Sequence, residues 1–300
     1  MELCGGHPVN EGEQPQRHLR LIKSDESKRD VLPSQMPVSP RYGRGQFSGI
    51  FNLAGKVALV VGGAGGIGGA IAHALADHGA RIVIADLNGE AARQMAQSCA
   101  RPNTGGALAV NLDITNQTNI QQTVAAIERE TQKIDILVNA AGINIRKPVV
   151  DLAPEEWQQV LAVNLSGVFY VTQAVVRGML SREYGRILSL GSVSSLLGHP
   201  NYSAYAATKG GIAIMTKSMA TEWASKGITV NALGPAYTET AFNSDFIANP
   251  SIRESIVRSI PMGRLGKPED MVGAAVYLCS DAASFVTGQT LYIDGGRTSD

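Results

Sequence analysis

The 300-residue chain has no excess of charge of either sign, because 26 Lys and Arg residues balance 26 Asp and Glu residues. Nucleic-acid-binding proteins need a basic surface, so this balance predicts no nucleic-acid partner. Cysteine is also scarce: Cys4, Cys99 and Cys279 are scattered and form no disulfide or zinc motif. Free thiols are typical of a reducing compartment, which predicts a cytoplasmic protein.

Long hydrophobic runs are missing as well. Gly or charged residues interrupt every apolar stretch before it reaches the roughly 20 residues of a membrane-spanning helix, so we expect no membrane segment. The N-terminus lacks a charged start followed by an apolar stretch and a cleavage site, which argues against secretion. The five histidines have no spacing suited to a metal, so we predict no metal site.

The first 45 residues differ in composition from the rest. They hold five of the thirteen prolines, mixed charges and few apolar residues. Such a segment cannot bury enough surface to offset the entropy lost on ordering. We therefore predict a flexible extension over residues 1–45 and one folded catalytic domain over residues 46–300.

From Leu53 onward, short β-rich runs alternate with longer stretches at helical spacing. Most of these runs are continuously apolar, as expected for strands of a parallel sheet that is covered on both faces. The alternation predicts an α/β fold, a single Rossmann-type doubly wound parallel sheet with helices on both faces. Ligands of such sheets bind beyond the carboxyl ends of the strands. The predicted strands are Val57–Val61, Arg81–Ala85, Ala107–Asn111, Ile134–Val138, Gly185–Leu190, Ile228–Leu233 and Thr290–Ile293.

A glycine-rich turn joins the first predicted strand to the first helix. Glycines let the backbone approach a pyrophosphate closely, and the helix N-terminus offers free N–H groups to it. The position between strand and helix is the context in which this pattern indicates dinucleotide binding. The residues predicted to hold the cofactor here are Gly62, Gly65, Gly66, Ile67 and Gly68.

The second strand is followed by Asp86, 18 residues after Gly68. A carboxylate at this place accepts hydrogen bonds from the ribose hydroxyls of NAD and repels the additional phosphate of NADP. No Arg adjoins Asp86, and the glycine turn contains no Lys. The sequence therefore predicts NAD as the cofactor, in preference to NADP, although Asp86 could instead only cap the next helix.

Together with further motifs along the chain, these features resemble the short-chain dehydrogenase/reductase family from about Leu53 to Gly296. Three positions depart from its pattern, since Val61, Ala140 and Ala236 replace the usual Thr, Asn and Gly. The resemblance implies additional cofactor contacts from Asp113, Asn139, Gly142, Pro235 and Thr240. It also implies a catalytic tetrad of Asn164, Ser192, Tyr205 and Lys209, in which Asn164 would hold a water that links Lys209 to solvent.

The tetrad suits hydride transfer between nicotinamide and an alcohol or ketone. Tyr205 serves as acid and base only if its pKa, about 10 unperturbed, falls toward neutrality. The ammonium of Lys209, four residues further along the same helix, would lower that pKa, and Ser192 would stabilise charge on the substrate oxygen. Tyr202 has Ala206 four places on instead of a lysine, so we expect no acid/base role for it.

The substrate is predicted from the loop after the fourth strand. This stretch looks most like the sugar-acid branch of the family, which includes gluconate 5-dehydrogenase and 2-deoxy-gluconate 3-dehydrogenase. Arg146 suits a substrate carboxylate, which a guanidinium can bind bidentately. His199 is a second substrate-contact candidate, and Glu239–Arg258 is predicted to form a lid, with Phe242 and Phe246 unassigned.

Three other functions remain open alongside the sugar-acid dehydrogenase. The same fold and tetrad would serve a 3-oxoacyl-carrier-protein reductase or a polyol or ketose dehydrogenase. A non-catalytic NAD-sensing protein is the remote alternative. The family resemblance further implies a homotetramer that pairs through the predicted helices Pro154–Ser181 and Tyr202–Lys226.

Overall fold

Seven short apolar strands form one parallel sheet in the computed structural model, which describes residues 47–299. The sheet order is β3-β2-β1-β4-β5-β6-β7. This confirms the predicted fold class, and each strand lies within two residues of its predicted ends. The predicted flexible extension, residues 1–45, lies outside the described residues. The strands are β1 (Val57–Val61), β2 (Arg81–Asp86), β3 (Leu108–Asn111), β4 (Ile136–Asn139), β5 (Gly185–Leu190), β6 (Ile228–Pro235) and β7 (Thr290–Ile293).

Helices follow most of the strands and cover both faces of the sheet. Asn88 and Asn116 cap the second and third helices, because each side-chain oxygen accepts a backbone N–H from the first turn. The α-helices are α1 (Gly66–Asp77), α2 (Gly89–Cys99), α3 (Gln117–Thr131), α4 (Pro154–Leu161), α5 (Val168–Arg182), α6 (Ser203–Trp223), α7 (Ser244–Ile247), α8 (Pro250–Arg258) and α9 (Val272–Cys279).

Strand β1 supplies side chains to two separate hydrophobic cores. Ala58 and Val60 pack on one face of the sheet with residues of α1, α2 and α9. Val57, Leu59 and Val61 pack on the other face with residues of α3, α5 and α6. Successive side chains of a strand point to opposite faces, so a strand buried on both sides is apolar throughout.

The strand order reverses beside β1, which pairs with β2 on one side and β4 on the other. A crevice opens at such a reversal, at the carboxyl ends of the strands. The glycine turn after β1 and the loop after β4 therefore lie side by side at this edge.

One long helical stretch runs from Pro154 to Arg182, because α4, a π-helical segment (Ala162–Gly167) and α5 follow one another without a break. Its mean hydropathy reaches 1.4 over 18 residues, so by length and composition it could cross a membrane. This differs from the prediction that no apolar run is long enough. Its apolar side chains include Val171, Val175 and Met179, which are buried in the core against the sheet.

The predicted lid, Glu239–Arg258, contains the two short helices α7 and α8. Ile247 and Ile256 of this segment form a small hydrophobic core with Ile260 and Leu265, which follow it. An ion pair between Glu239 and Arg253 joins the start of the segment to α8. The segment is thus a packed part of the fold beside the carboxyl edge of the sheet.

Candidate active site

A cavity of about 490 Å³ opens at the carboxyl edge of the sheet. The glycine turn lines it, and so do the ends of β2, β5 and β6, the start of α6 and the lid. Most of the residues predicted from the sequence meet here, namely Gly62, Gly65, Gly66, Ile67, Gly68, Asp86, Asp113, Gly142, Arg146, Ser192, His199, Tyr205, Lys209, Pro235 and Thr240.

The glycine turn forms a cradle that side chains would fill. Gly62 has φ +72°, and a Cβ atom there would collide with the backbone nitrogen of Ala141. A Cβ atom on Gly68 would collide with the carbonyl oxygen of Gly62. Close packing of this turn against the loop after β4 requires glycine at both positions. The turn fits a dinucleotide phosphate, because it leads directly into the N-terminus of α1.

Asp86 ends β2 next to the glycine turn and lines the cavity. Its Oδ2 accepts a hydrogen bond from the backbone N–H of Ala64 at 3.1 Å, and its Oδ1 accepts one from Asn88 at 3.0 Å. These bonds fix the carboxylate, but each oxygen retains an acceptor position for a ribose hydroxyl. The cap of α2 is the Asn88 side chain, so Asp86 is not needed for capping.

Tyr205 and Ser192 both line the cavity. Burial raises the pKa of Tyr205 to about 12, while the nearby Ser192 hydroxyl and the charge of Arg146 act in the opposite direction. The phenol therefore keeps its proton at neutral pH. This is the form that can protonate a carbonyl oxygen when a ketone is reduced.

Lys209 lies one helical turn beyond Tyr205 on α6 and is also buried. Its Nζ donates a hydrogen bond to the carbonyl oxygen of Leu190 at 2.6 Å and lies 5.5 Å from the centre of the Tyr205 ring. Burial lowers the pKa of Lys209 to about 8. The protein groups by themselves thus do not bring the pKa of Tyr205 toward neutrality, contrary to the sequence-based argument.

Comparison with known proteins agrees with this geometry. Residues 62–298 match the family model described as enoyl-(acyl carrier protein) reductase. Gluconate 5-dehydrogenase of Gluconobacter oxydans (strain 621H) is 40% identical over 249 residues, which are 83% of this chain and 97% of the relative. The 3-oxoacyl-[acyl-carrier-protein] reductase of Vibrio cholerae is 40% identical over 245 residues, which are 82% of this chain and 98% of the relative.

A solved structure shows the same architecture. The gluconate 5-dehydrogenase of Burkholderia cenocepacia J2315, crystallised with NADP and tartrate, superposes with a TM-score of 0.80 at 40% identity. The match covers 84% of this chain and 98% of that protein. The chain belongs to the short-chain dehydrogenase/reductase family. It is therefore an oxidoreductase that acts on CH–OH groups with a nicotinamide cofactor.

Asn164 of this dehydrogenase does not line the cavity. The side chain is fully buried and forms two hydrogen bonds of 2.8 Å with the backbone N–H and C=O of Ile143. These bonds use the amide and hold the loop after β4. The side chain thus positions this loop, and the predicted role of Asn164 in holding a water stays a prediction; its backbone carbonyl lies in the π-helical segment, where backbone bonds are rearranged.

The side chain of Asn139 does not line the cavity, although the resemblance implied a cofactor contact for this residue. Its side chain is buried and donates to the hydroxyls of Thr172 on α5 and Ser189 on β5, at 3.1 and 3.3 Å. The amide points into the protein because it ends the central strand β4. It links the sheet to α5, whereas the residues of the following loop, from Ala140 to Asn144 and Arg146, line the cavity.

The substrate end of the cavity contains an aromatic cluster that the sequence did not reveal. Arg146 Nε donates to the hydroxyl of Tyr202 at 2.7 Å, and its guanidinium lies 4.4 Å from the centre of the Phe246 ring. Tyr237 stacks on Phe246 and contacts His199 edge-on. His199 lines the cavity, burial lowers its pKa, and its Nε2 atom is buried without a partner.

The lid contributes residues at both ends of the cavity. A Cβ atom on Gly66 would lie 3.5 Å from Thr240 Cγ2, so Thr240 faces the glycine turn. Phe242 lies beside Tyr205, with ring centres 6.4 Å apart. The lid thereby contacts both the glycine turn, where the cofactor is predicted to bind, and Tyr205, the predicted acid/base. Within residues 47–299, no cluster of three or more His, Cys, Asp or Glu side chains is placed to hold a metal.

Proposed function

We propose that this dehydrogenase transfers a hydride between NAD(H) and the secondary alcohol or ketone of a sugar acid, such as gluconate or a deoxy-gluconate. The observation that carries this proposal is Arg146, a half-buried guanidinium in the substrate end of the cavity. Its only hydrogen bond within the described chain goes to the Tyr202 hydroxyl, whereas the adjacent Lys147 is paired with Glu156. A carboxylate is the complementary partner for such a cation.

Bound nicotinamide would supply the hydride donor or acceptor and, when oxidised, a positive charge. The chain's own residues handle the proton. In ketone reduction, Tyr205 donates its phenolic proton to the carbonyl oxygen while Ser192 supports the same oxygen by a hydrogen bond. In alcohol oxidation the proton moves the other way: the phenolate of Tyr205 takes the proton of the substrate hydroxyl and becomes a phenol, and the cation of Lys209 favours the phenolate form that must accept it.

The relatives support an acid as substrate. Two of the proteins reported above are gluconate 5-dehydrogenases, and the Burkholderia enzyme was crystallised with tartrate, a dicarboxylate. The similarity to a 3-oxoacyl reductase supports the alternative, a thioester substrate. Thioesters have no carboxylate at the reacting end, so Arg146 distinguishes these two functions.

Replacing Arg146 by Met should raise the KM for a sugar acid at least tenfold, because the carboxylate loses its charged partner. The test measures the turnover of D-gluconate, sorbitol, glycerol and an acetoacetyl thioester, each monitored by the change in nicotinamide absorbance. Lys147→Met, which removes the paired neighbouring charge, is the matched control. A wild-type preference for the thioester, or for the neutral polyols, would contradict the proposal.

The choice of NAD rests on the Asp86 carboxylate, which would repel the 2′-phosphate of NADP. Wild-type kcat/KM should therefore be higher with NAD, and Asp86→Ser should shift the NAD:NADP ratio toward NADP by at least tenfold. Asp77→Ser, at an exposed carboxylate of α1, controls for a general loss of charge. The NADP bound in the Burkholderia relative makes this measurement decisive, since a wild-type preference for NADP would refute the assignment.

We further propose a cytoplasmic homotetramer that needs no nucleic acid or membrane. Exposed apolar side chains on the helices implied to pair support the assembly: Phe169 on α5 and Ile214 on α6. Buried, unpaired Cys99 and Cys279 are consistent with a reducing compartment. Light scattering of the purified protein measures the assembly directly.

A further inference from the structure

The hydroxyl of Tyr202 accepts two hydrogen bonds at the substrate end of the cavity. One comes from Arg146 Nε at 2.7 Å and the other from the Tyr237 hydroxyl at 3.1 Å. A phenol oxygen has two acceptor positions and carries one proton to donate. Both acceptor positions are therefore used, and within residues 47–299 no group accepts the Tyr202 proton.

Arg146 likewise has hydrogen-bond donors that the described residues leave unused. Its Nε is bonded to Tyr202, and its guanidinium lies between the rings of Phe246 and Tyr202, 4.4 and 5.2 Å from their centres. No described residue accepts a hydrogen bond from its two terminal nitrogens. Stacking and the Nε bond fix the plane of the guanidinium. The free terminal N–H groups of Arg146 and the hydroxyl proton of Tyr202 therefore lie close together, and both are available to a ligand.

We propose that Tyr202 binds the carboxylate of the substrate together with Arg146, and that Tyr237 positions Tyr202 for this task. This inference rests on the proposed function, because it names the partner of the acid group. A carboxylate only accepts hydrogen bonds, and it matches a site that offers donors alone. A neutral hydroxyl in the same place would leave the cation unpaired.

Tyr237 determines which way the Tyr202 proton points. Its own hydroxyl donates to Tyr202, so Tyr202 cannot donate back along that bond. Burial raises the pKa of Tyr237, which keeps it a donor throughout the working pH range. The proton of Tyr202 is thereby left for the ligand, and Tyr237 acts without touching the substrate itself.

Tyr202→Phe tests the assignment without removing the ring. The edge-on contacts of Tyr202 with His199 and Tyr205 involve the ring and are expected to persist. We expect the KM for D-gluconate to rise about tenfold with kcat within about threefold, because one charge-assisted hydrogen bond is lost. The kcat/KM for sorbitol, which has no carboxylate, should change less than threefold.

Two further variants calibrate the result. Tyr237→Phe should raise the KM for D-gluconate by a smaller factor, about threefold, since Tyr202 keeps its proton but loses its orientation. Tyr277→Phe, on α9 and outside the cavity, should leave both substrates unchanged. Equal effects of Tyr202→Phe on gluconate and sorbitol, or an unchanged KM for gluconate, would overturn the assignment.

Direct binding separates this inference from the proposed function. The dissociation constants of D-gluconate and tartrate are measured on the cofactor-loaded protein by calorimetry. If the wild type binds these acids but oxidises no sugar acid, the proposed function fails. The ratio of dissociation constants for wild type and Tyr202→Phe, expected near ten, then still decides the role of Tyr202. If the wild type binds neither acid, both ideas are rejected.

Discussion

Tyr205→Phe should lower kcat at least a thousandfold in both directions while leaving cofactor affinity within about threefold of wild type. The variant keeps the ring and its packing but has no proton to exchange with the substrate oxygen. General acid–base groups contribute roughly 10²–10⁴-fold to rate. Steady-state turnover and the fluorescence of bound NADH measure the two quantities.

Tyr292→Phe is a useful comparison for this variant. Tyr292 on β7 also carries a hydroxyl bonded to a serine, Ser195, at 2.8 Å, but it does not line the cavity. We expect its turnover to stay near that of wild type. Substantial residual turnover in Tyr205→Phe would mean that another group moves the proton.

Lys209→Met should lower kcat by about a hundredfold or more and change the pH dependence of ketone reduction. Burial lowers the pKa of Lys209 to about 8, so its charge is complete well below pH 8 and is lost as the pH rises through that value. Tyr205, with a pKa of about 12, keeps its proton over the same range. Wild-type reduction should therefore decline above about pH 8, and Lys209→Met should show no inflection there.

The matched control for Lys209 lies on the same helix. Lys217 is exposed on α6, and Lys217→Met removes an equal charge without reaching the cavity. Its pH profile should follow that of wild type. An inflection near pH 8 that persists in Lys209→Met would assign the titration to a different group.

Much of the fold was predictable because it is encoded locally. Most strands are rich in apolar residues, because alternate side chains enter the two cores, and such runs can be recognised in the sequence. Only the ends differ: β6 continues to Pro235 because its last residues still pair with β7. Local motifs likewise brought Tyr205, Lys209, Ser192 and the glycine turn to one edge of the sheet.

The remaining features depend on contacts between distant segments. The aromatic cluster joins Arg146 after β4, Tyr202 before α6, Tyr237 after β6 and Phe246 in the lid, and no periodicity connects these positions. Asn139 and Asn164 carry the right amides in the right motifs, but the directions of their side chains depend on Thr172 and Ile143. The π-helical turn has no sequence signature of its own.

Tyr202 and Tyr205 lie three residues apart at the start of one helix, with ring centres 6.0 Å apart. Their separation is set by the backbone and does not adapt to the molecule between them. A substrate held at one tyrosine and protonated at the other has its reacting carbon selected by distance along its chain. The fixed distance between the two tyrosines then determines which of several chemically similar hydroxyls reacts, so regioselectivity is a property of helix geometry.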